Sequence, residues 1–401
     1  MVQTDPSPIR RWRSSPHDRD IVRLAVPAFG ALIAEPLYVL ADTAVVGHIG
    51  TPQLGGLAVA SSVLLTFYGL CIFLAYGTTA AVARHIGAGD RARAARDALQ
   101  SMWLAGALSM AAMGLGYIAA SPLLRALGAD GDVLVNGLVY LRVSLLGLPP
   151  MLLTLAGTGW LRGIQDTRTP LIVALGTAAG NLALECLLVF GLGYGIGASA
   201  LATVVVQWIG AAVYLRSVVG GARAEGQSLR PHLAHIRGLA RVGRDLIIRT
   251  AALRAALVIA TAVAARLGAV DLAAHQIAFE LWSFLALGLD AVAIAGQALV
   301  GTHLGAREPA LARAVGDRML AWGAALGEDG VAAVASYVRN LGGHTGEPAQ
   351  IAAGQEKYQT FCIACHGPEG KGNPMLGAPD LTDDYWLYGS SEQAVQTSIR
   401  D

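Results

Sequence analysis

Apolar residues run in stretches of about 20 positions, the length that carries a helix across a hydrocarbon layer. Such stretches recur eight times, at 21–46, 57–83, 98–120, 134–157, 169–190, 196–218, 245–265 and 273–301. Small residues are dense within them, as expected where helices pack closely in lipid. The pattern then changes. Val331, Val334, Val338 and Leu341 fall on one face of a short amphipathic helix. Gly342 to Pro348 read as a linker, and a second short helix is expected up to Phe361. The pattern predicts an all-α chain: a polytopic bundle of about eight transmembrane helices, followed by a small polar C-terminal part.

Composition sharpens this division. The chain is 54% hydrophobic and 14% charged, against the ~25% charge of ordinary soluble proteins. From Met1 to Val315 there are 24 Arg, no Lys and 17 acidic residues; from Gly316 onward there are 5 basic and 11 acidic residues. The net charge of +1 is thus the sum of a basic and an acidic segment, and it supplies no footprint for nucleic acid. Arginine also fixes a topology. Arg10, Arg11, Arg13, Arg19 and Arg23 precede the first span, and Arg84, Arg91, Arg93 and Arg96 follow the second. Arg162 and Arg168 follow the fourth, Arg216, Arg223, Arg230, Arg237, Arg241 and Arg244 the sixth, and Arg307 and Arg313 the eighth. The alternate loops hold only Arg125 and Arg266. The positive-inside bias puts the N-terminus and every even-numbered exit in the cytoplasm. Polar Met1–Asp20 followed by an interrupted apolar run reads as a retained first span, not a cleaved leader.

A repeat is visible at a constant offset of 218 residues. Ile49-Gly50 matches Leu267-Gly268, Leu54 matches Leu272, and His85-Ile86-Gly87-Ala88 matches His303-Leu304-Gly305-Ala306. Spans one and two therefore recur as seven and eight in the same orientation, a parallel repeat of a six-helix unit. Ionisable residues inside spans are costly and mark function by default. Asp42 lies late in span one and is placed to carry a proton; Glu35 precedes Pro36, where the helix can kink. Asn181 and Glu185 share one face of span five and are placed to chelate a sodium ion or to share a proton with Asp42. Arg249 and Arg254 in span seven are expected to pair with carboxylates of span eight, where Gln276, Glu280 and Asp290 lie. Trp160, Trp208, Trp282 and Tyr140 are assigned to interfaces or packing.

Asp42-Thr43-Ala44-Val45-Val46-Gly47-His48-Ile49-Gly50, Arg84-His85-Ile86-Gly87-Ala88-Gly89 and Ala274-His275-Gln276-Ile277 together resemble the multidrug and toxic compound extrusion (MATE) family, in its DinF-like branch. The resemblance covers about 20–318. It implies two six-helix lobes around a central cleft, and export of small organic compounds, cationic ones among them, against H+ or Na+. It also implies a cation site at Asp42, Asn181 and Glu185, with Glu185 longer than the family's aspartate. The second lobe is expected to hold only two helices.

Cys362-Ile363-Ala364-Cys365-His366 is a pattern of different chemistry. Two thiols three apart can each bond a haem vinyl group, and the adjacent histidine then reaches the iron; a zinc or redox CxxC are the alternatives. The surrounding Gly370-Lys371-Gly372-Asn373-Pro374, Gly377-Ala378-Pro379-Asp380-Leu381-Thr382-Asp383-Asp384 and Trp386-Leu387-Tyr388-Gly389 closely resemble the dihaem cytochrome c subunit of cbb-type cytochrome oxidase. That resemblance implies covalent haem c, with Cys362 and Cys365 as anchors and His366 as proximal iron ligand, and other oxidase subunits as partners. The chain is expected to end before the family's second axial methionine. Met375 is close to His366 and is expected only to pack, and Met319 has no haem to bind.

The expected organisation is a cytoplasmic polar tail at 1–20, a six-helix lobe at 21–218, a cytoplasmic basic linker at 219–244 and two helices of a second lobe at 245–318. A terminal cytochrome helix follows at 321–343, and a partial cytochrome c domain at 349–401. The leading expectation is a cation-coupled exporter in an inner membrane and not an enzyme, with an electron-transfer subunit as the alternative. The two parts conflict, because eight spans leave the haem motif in the cytoplasm while the family's haem is attached on the outer face. The sequence therefore reads as a fusion or assembly chimera joined near Ala321, and a non-functional one is the third reading.

Overall fold

The structure is a computed structural model that describes residues 15–323, 327–372, 379–383, 386 and 389–400. These residues separate into two units, one spanning Pro16–Met319 and the other containing Ser15 and everything described from Leu320 onward. Among the described residues every regular element is helical.

Among the described residues the first unit holds eight helices long and apolar enough to cross a membrane, His17–Ile49, Thr51–Gly87, Arg91–Ala126, Gly131–Gly163, Arg168–Gly191, Ile196–Ala224, Leu233–Leu267 and Asp271–Gly305. Each lies on one of the apolar stretches read from the sequence. They are built from α1 (Pro16–Ile49), α2 (Thr51–Cys71), α3 (Phe73–Gly87), α4 (Arg91–Ala126), α5 (Gly131–Ser144), α6 (Leu148–Gly163), α7 (Arg168–Cys186), α8 (Ile196–Ala224), α9 (Leu233–Leu267) and α10 (Ala269–Gly305). Span two breaks between α2 and α3, span four passes through a short tight turn, and α7 continues into a π-helical segment, Leu187–Gly191. A chain in lipid must satisfy its backbone groups within the segment, so these breaks stay helical in kind. One buried cluster lies among α3, α4, α6 and α8 and includes Leu74, Met102, Leu152, Trp160 and Tyr214; a second joins Val46 and Leu57 to Leu124, Leu141 and Leu148.

The repeat read from the sequence is present in the backbone. Gly50 and Gly268, 218 positions apart, both start a helix from a positive φ (159° and 147°). Gly89 and Arg307, also equivalent, both sit in the left-handed region at φ 74° and 62°. The ends of α3 and α10 cross by a reciprocal contact. A Cβ on Gly87 would overlap the Thr302 carbonyl, and a Cβ on Gly305 would overlap the Arg84 carbonyl. Under the same offset Gly87 maps to Gly305 and Arg84 to Thr302, so each contact is the image of the other. Gly301 faces its own equivalent, Ala83. Helix α1 lies against α10 just as α9 lies against α2 and α3. Beyond α10, α11 (Pro309–Gly323) returns toward α1, where Arg318 donates to both oxygens of Asp18 at 2.6 and 2.8 Å. Met319 packs on Gly296 of α10.

The second unit contains α12 (Gly327–Leu341), α13 (Pro348–Phe361), the single turn α14 (Ile363–His366) and α15 (Glu392–Arg400). The expected apolar face of α12 is its buried face: Val331, Val334 and Val338 are enclosed, and the core is completed by Tyr337, Tyr358 and Val395. Helices α12 and α13 cross where Gly354 meets the Ala333 backbone, and the Tyr337 and Tyr358 rings tilt together at 5.1 Å.

Candidate functional site

Four helices of the first unit converge on one polar cluster. Asp42 of α1 is 5% exposed and Glu185 of α7 is fully buried, as is Ser199 of α8. The Ser199 hydroxyl donates to Asp42 Oδ1 at 3.2 Å and the Tyr140 hydroxyl of α5 donates to Oδ2 at 3.4 Å. The Glu185 carboxyl adjoins that of Asp42 and accepts the Asn181 amide at 3.4 Å. One turn along α1 and α8, the hydroxyls of Tyr38 and Thr203 bond to each other at 2.9 Å. Each helical pair is spaced by four, 38/42, 181/185 and 199/203, so one face of each helix supplies two groups to the same space.

Among the described residues, two buried acceptors of this cluster lack a hydrogen bond, Asn181 Oδ1 and Glu185 Oε1. A buried oxygen left unpaired costs about 1–3 kcal/mol. Two of them beside two carboxyls form an oxygen-rich cage that a proton or a hard cation would satisfy. Sequence reasoning placed Asp42, Asn181 and Glu185 and the structure brings them together. It missed Ser199, Tyr38 and Thr203; it assigned Tyr140 to packing, and Tyr140 does pack in the second buried cluster while its hydroxyl also donates to Asp42. Glu35 stands apart from this cluster, exposed and two turns before Asp42 on α1.

Among the described residues no ion pair joins spans seven and eight, contrary to expectation. Glu280 is taken by Gln276 on its own helix at 2.9 Å, because residues four apart are already neighbours. Arg249 and Arg254 turn instead toward α2 and α3. Trp160 donates to Ser217 at 3.2 Å and Trp208 to the Leu146 carbonyl at 3.3 Å, both packing roles.

The second site lies on α14. The His366 backbone closes on Cys362 and the Cys362 backbone on Tyr358, so the turn is continuous with α13. His366 Nδ1 donates to the Pro379 carbonyl at 3.1 Å. A carbonyl only accepts, so this bond puts the ring proton on Nδ1 and leaves Nε2 as the lone-pair nitrogen, the arrangement by which a metal-bound histidine is oriented. The loops around it are stitched together: Leu381 N–H to the Gly370 carbonyl at 2.7 Å, Lys371 to the Thr382 hydroxyl at 2.6 Å, and Thr382 to Asp380 through backbone (2.8 Å) and hydroxyl (2.6 Å). Those Thr382 bonds, with Lys371 beyond, hold the Asp380 carboxyl below its usual range. Burial, then the neighbouring Cys362 and Tyr337, push the Tyr358 hydroxyl up to about 12. It donates to the Gly367 carbonyl at 2.9 Å. Cys362 and His366 thus suit a haem. The Cys365 side chain lies outside the described residues, as do Met375 and the rest of 373–378, Asp384, Leu387-Tyr388 and the N-tail residues Arg10, Arg11 and Arg13.

A bundle of eight spanning helices built on a parallel repeat, with a buried carboxylate pair in its first lobe, is the architecture of a multi-pass membrane transporter. The chain belongs to the MatE family, whose model matches residues 27–187 and 247–365. It is 33% identical over 333 residues to the protein DETOXIFICATION 44, chloroplastic, of Arabidopsis thaliana, covering 79% of this chain and 62% of that one. It is 30% identical over 330 residues to the DNA damage-inducible protein F of Escherichia coli, covering 79% and 69%. The chain therefore spans less than two thirds of the first of these relatives. A crystal structure of a MATE protein in the straight conformation superposes with a TM-score of 0.70 at 21% identity, covering 93% of this chain and 87% of that one. Residues 349–401 also match the model of cytochrome c oxidase, cbb3-type, subunit III. The last part of the chain is 46% identical over 85 residues to the cbb3-type oxidase subunit FixP of Bradyrhizobium diazoefficiens, covering 20% of this chain and 29% of that one. The chain is thus a chimera of two families.

Proposed function

We propose that the membrane part exports small organic compounds across an inner membrane in exchange for H+ or Na+, with Asp42 and Glu185 carrying the coupling ion and Asn181 as a further ligand. The observation that carries this reading is the pair of buried, unpartnered oxygens, Asn181 Oδ1 and Glu185 Oε1, beside the Asp42 carboxyl. A proton shared between the carboxyls, or a sodium ion taking these oxygens, neutralises the cluster; its release restores two adjacent negative charges that repel. Loading therefore changes which arrangement of α1, α7 and α8 is favoured, which is what coupling requires. Glu35, exposed two turns before Asp42 on α1, is assigned to the path by which the ion reaches the cluster. In this reading 21–218 is a complete lobe and 245–318 the start of a second. The N-terminus is cytoplasmic, as is the segment after span eight, in keeping with the arginine distribution.

The test is uptake of an organic dye into inside-out vesicles under an imposed pH or sodium gradient. Gradient-driven uptake that disappears in Asp42→Asn is expected. Equal uptake with no gradient, or in the variant, would sink the reading.

A second reading concerns the C-terminal part, and the His366 to Pro379 bond favours it. Covalently attached haem c would supply one-electron transfer, with Cys362 and Cys365 as anchors and His366 as proximal ligand. Haem staining of the denatured full chain, after expression with the attachment machinery, tests it. An unstained band would leave this part as an inert passenger, the third possibility for a chimera.

A further inference from the structure

The segment between spans six and seven is pinned to α4 at three successive points. Asp97, Gln100 and Trp103 recur every three residues and form one stripe of that helix. The Trp103 indole donates to the Leu229 carbonyl at 3.0 Å. Gln100, only 2% exposed, donates to the Arg230 carbonyl at 3.2 Å and accepts the His232 backbone N–H at 2.8 Å. Buried Asp97 holds His235, in the first turn of α9, at 3.0 Å and His85 of α3 at 3.2 Å.

These bonds frame a recess of about 330 Å³ between α4 and residues 227–235, within the ~300–1,000 Å³ range of small-ligand sites. Arg96, Arg230, His232, His235 and Ser228 line it, and no acidic residue does, among the described residues. Neighbouring arginines are paired, Arg93 with Asp90 at 3.1 Å and Arg244 with Asp245 at 2.9 Å. Arg96 and Arg230 have no side-chain hydrogen bond or ion pair among the described residues. Asp97, behind His235, has both oxygens engaged by imidazoles. The recess thus gathers donors without an anion of its own. The scaffold does not demand it. Under the offset of 218, Arg96 maps to Ala314, Asp97 to Val315 and Gln100 to Arg318, so the equivalent helix α11 forms without these side chains. Arg96 lies just before the apolar stretch at 98–120, and Trp103 is 45% exposed beside it. That places the recess at head-group level, on the side to which the arginine distribution assigns the cytoplasm.

We infer that this recess is a binding site for a phosphate group, gripped between Arg96 of α4 and Arg230 of the connecting segment, with His232 and Ser228 as further donors. Donors on several sides suit a tetrahedral oxyanion better than a planar carboxylate, and the arginine fork pairs with two of its oxygens at once. The site is separate from the Asp42 and Glu185 cluster and does not depend on the exporter reading. Helix α4 belongs to the first lobe, and Arg230 to the chain leading into the second. A bound phosphate therefore ties the two together and stabilises that arrangement by mass action. The same chemistry is offered by a free phosphomonoester and by an anionic lipid head group.

The experiment uses the full chain in phosphatidylcholine nanodiscs, with empty discs subtracted. Two responses are read: equilibrium binding of glycerol 3-phosphate, and the rise in melting temperature when phosphatidic acid replaces part of the phosphatidylcholine. Binding of the soluble probe assigns the site to a free phosphomonoester, and a lipid-dependent rise without it to a head group; either outcome supports the site. Glycerate, with a carboxylate in place of the phosphate, is expected to bind at least about tenfold more weakly than glycerol 3-phosphate. An Arg96→Gln/Arg230→Gln double variant loses the response, and the corresponding double Lys variant keeps part of it. Arg91→Gln/Arg237→Gln, which removes two exposed charges outside the recess, keeps it in full. Melts in plain discs establish that each variant is folded. No response to either probe, a full response in the folded Arg96/Arg230 Gln variant, or an equal loss in the Arg91/Arg237 variant would overturn the site. Glycerate binding as tight as that of glycerol 3-phosphate would overturn its assignment to phosphate. Asp42→Asn is expected to respond as the parent chain does, so a failure of ion coupling and a failure of this site are read separately.

Discussion

The two chemistry-bearing regions are assembled in opposite ways. In the membrane unit the carboxylate cluster draws one or two side chains from each of α1, α5, α7 and α8, spread from residue 38 to residue 203 of the chain. In the C-terminal unit the haem motif is five consecutive residues, held by a tyrosine one helix earlier and loop bonds within a short stretch of chain. Long helices whose backbones are satisfied internally can contribute only side chains, so a site in a bundle is distributed by necessity. A site on a single turn is local, and its integrity depends on loops. The first should survive loss of the second, and each should fail for its own reason.

The strongest way to break this comparison is at the charged groups. Asp42→Asn should lower export by at least about tenfold in a vesicle assay while haem staining is unchanged. In the reverse direction, Cys362→Ser together with His366→Ala should abolish covalent haem and leave export at its original rate. Any crossover between the two readouts would mean that the regions are not independent.

The next effect is steric. Gly87→Ala and Gly305→Ala each place a methyl group on a backbone carbonyl and should each destabilise the bundle by about 1–3 kcal/mol, the usual cost of overpacking. Because the two contacts are images of one another, the losses should be similar, and thermal melts in detergent would compare them. A small gain is expected at Arg307, whose φ of 62° is unfavourable for a residue with a side chain. Arg307→Gly should stabilise by up to about 1 kcal/mol, whereas Gly89 already occupies the equivalent position. The weakest effect is acid sensitivity of the haem loop. Asp380 is held below its ordinary value in the folded state, so its contribution is present at neutral pH. It is lost as pH falls through and below the usual carboxylate range. Amide exchange at Leu381 and Thr382 should rise in that interval, and an Asp380→Asn variant should lack that dependence.

What the sequence revealed follows the same contrast. Eight spans were legible from length and apolarity alone, and the offset of 218 foretold the matched turns at Gly50 and Gly268. Asp42, Asn181 and Glu185 stood out because ionisable and amide groups are rare inside apolar runs. Tyr140 and Ser199 did not, since hydroxyls are common in membrane helices and only tertiary convergence makes these two ligands. Spacing by four at 38/42 and 199/203 was the available signal. Arg249 and Arg254 were visible as charges, but helical periodicity gives a face without saying which neighbour it meets, so their expected carboxylate partners proved wrong. The haem motif could be read as a string, but the Pro379 carbonyl that orients His366 could not, because a loop closure supplies it.

The reciprocal crossing of α3 and α10 also has the form of a two-fold interface. A contact that maps onto itself when the two repeats are exchanged is what two copies of one chain make about a two-fold axis. In such a pair a single glycine would make both contacts, and one mutation there would be felt twice. In this single chain each contact has its own codon: Gly87 and Gly305 meet the same steric demand separately, while the equivalent left-handed positions beside them are filled differently, by Gly89 and Arg307.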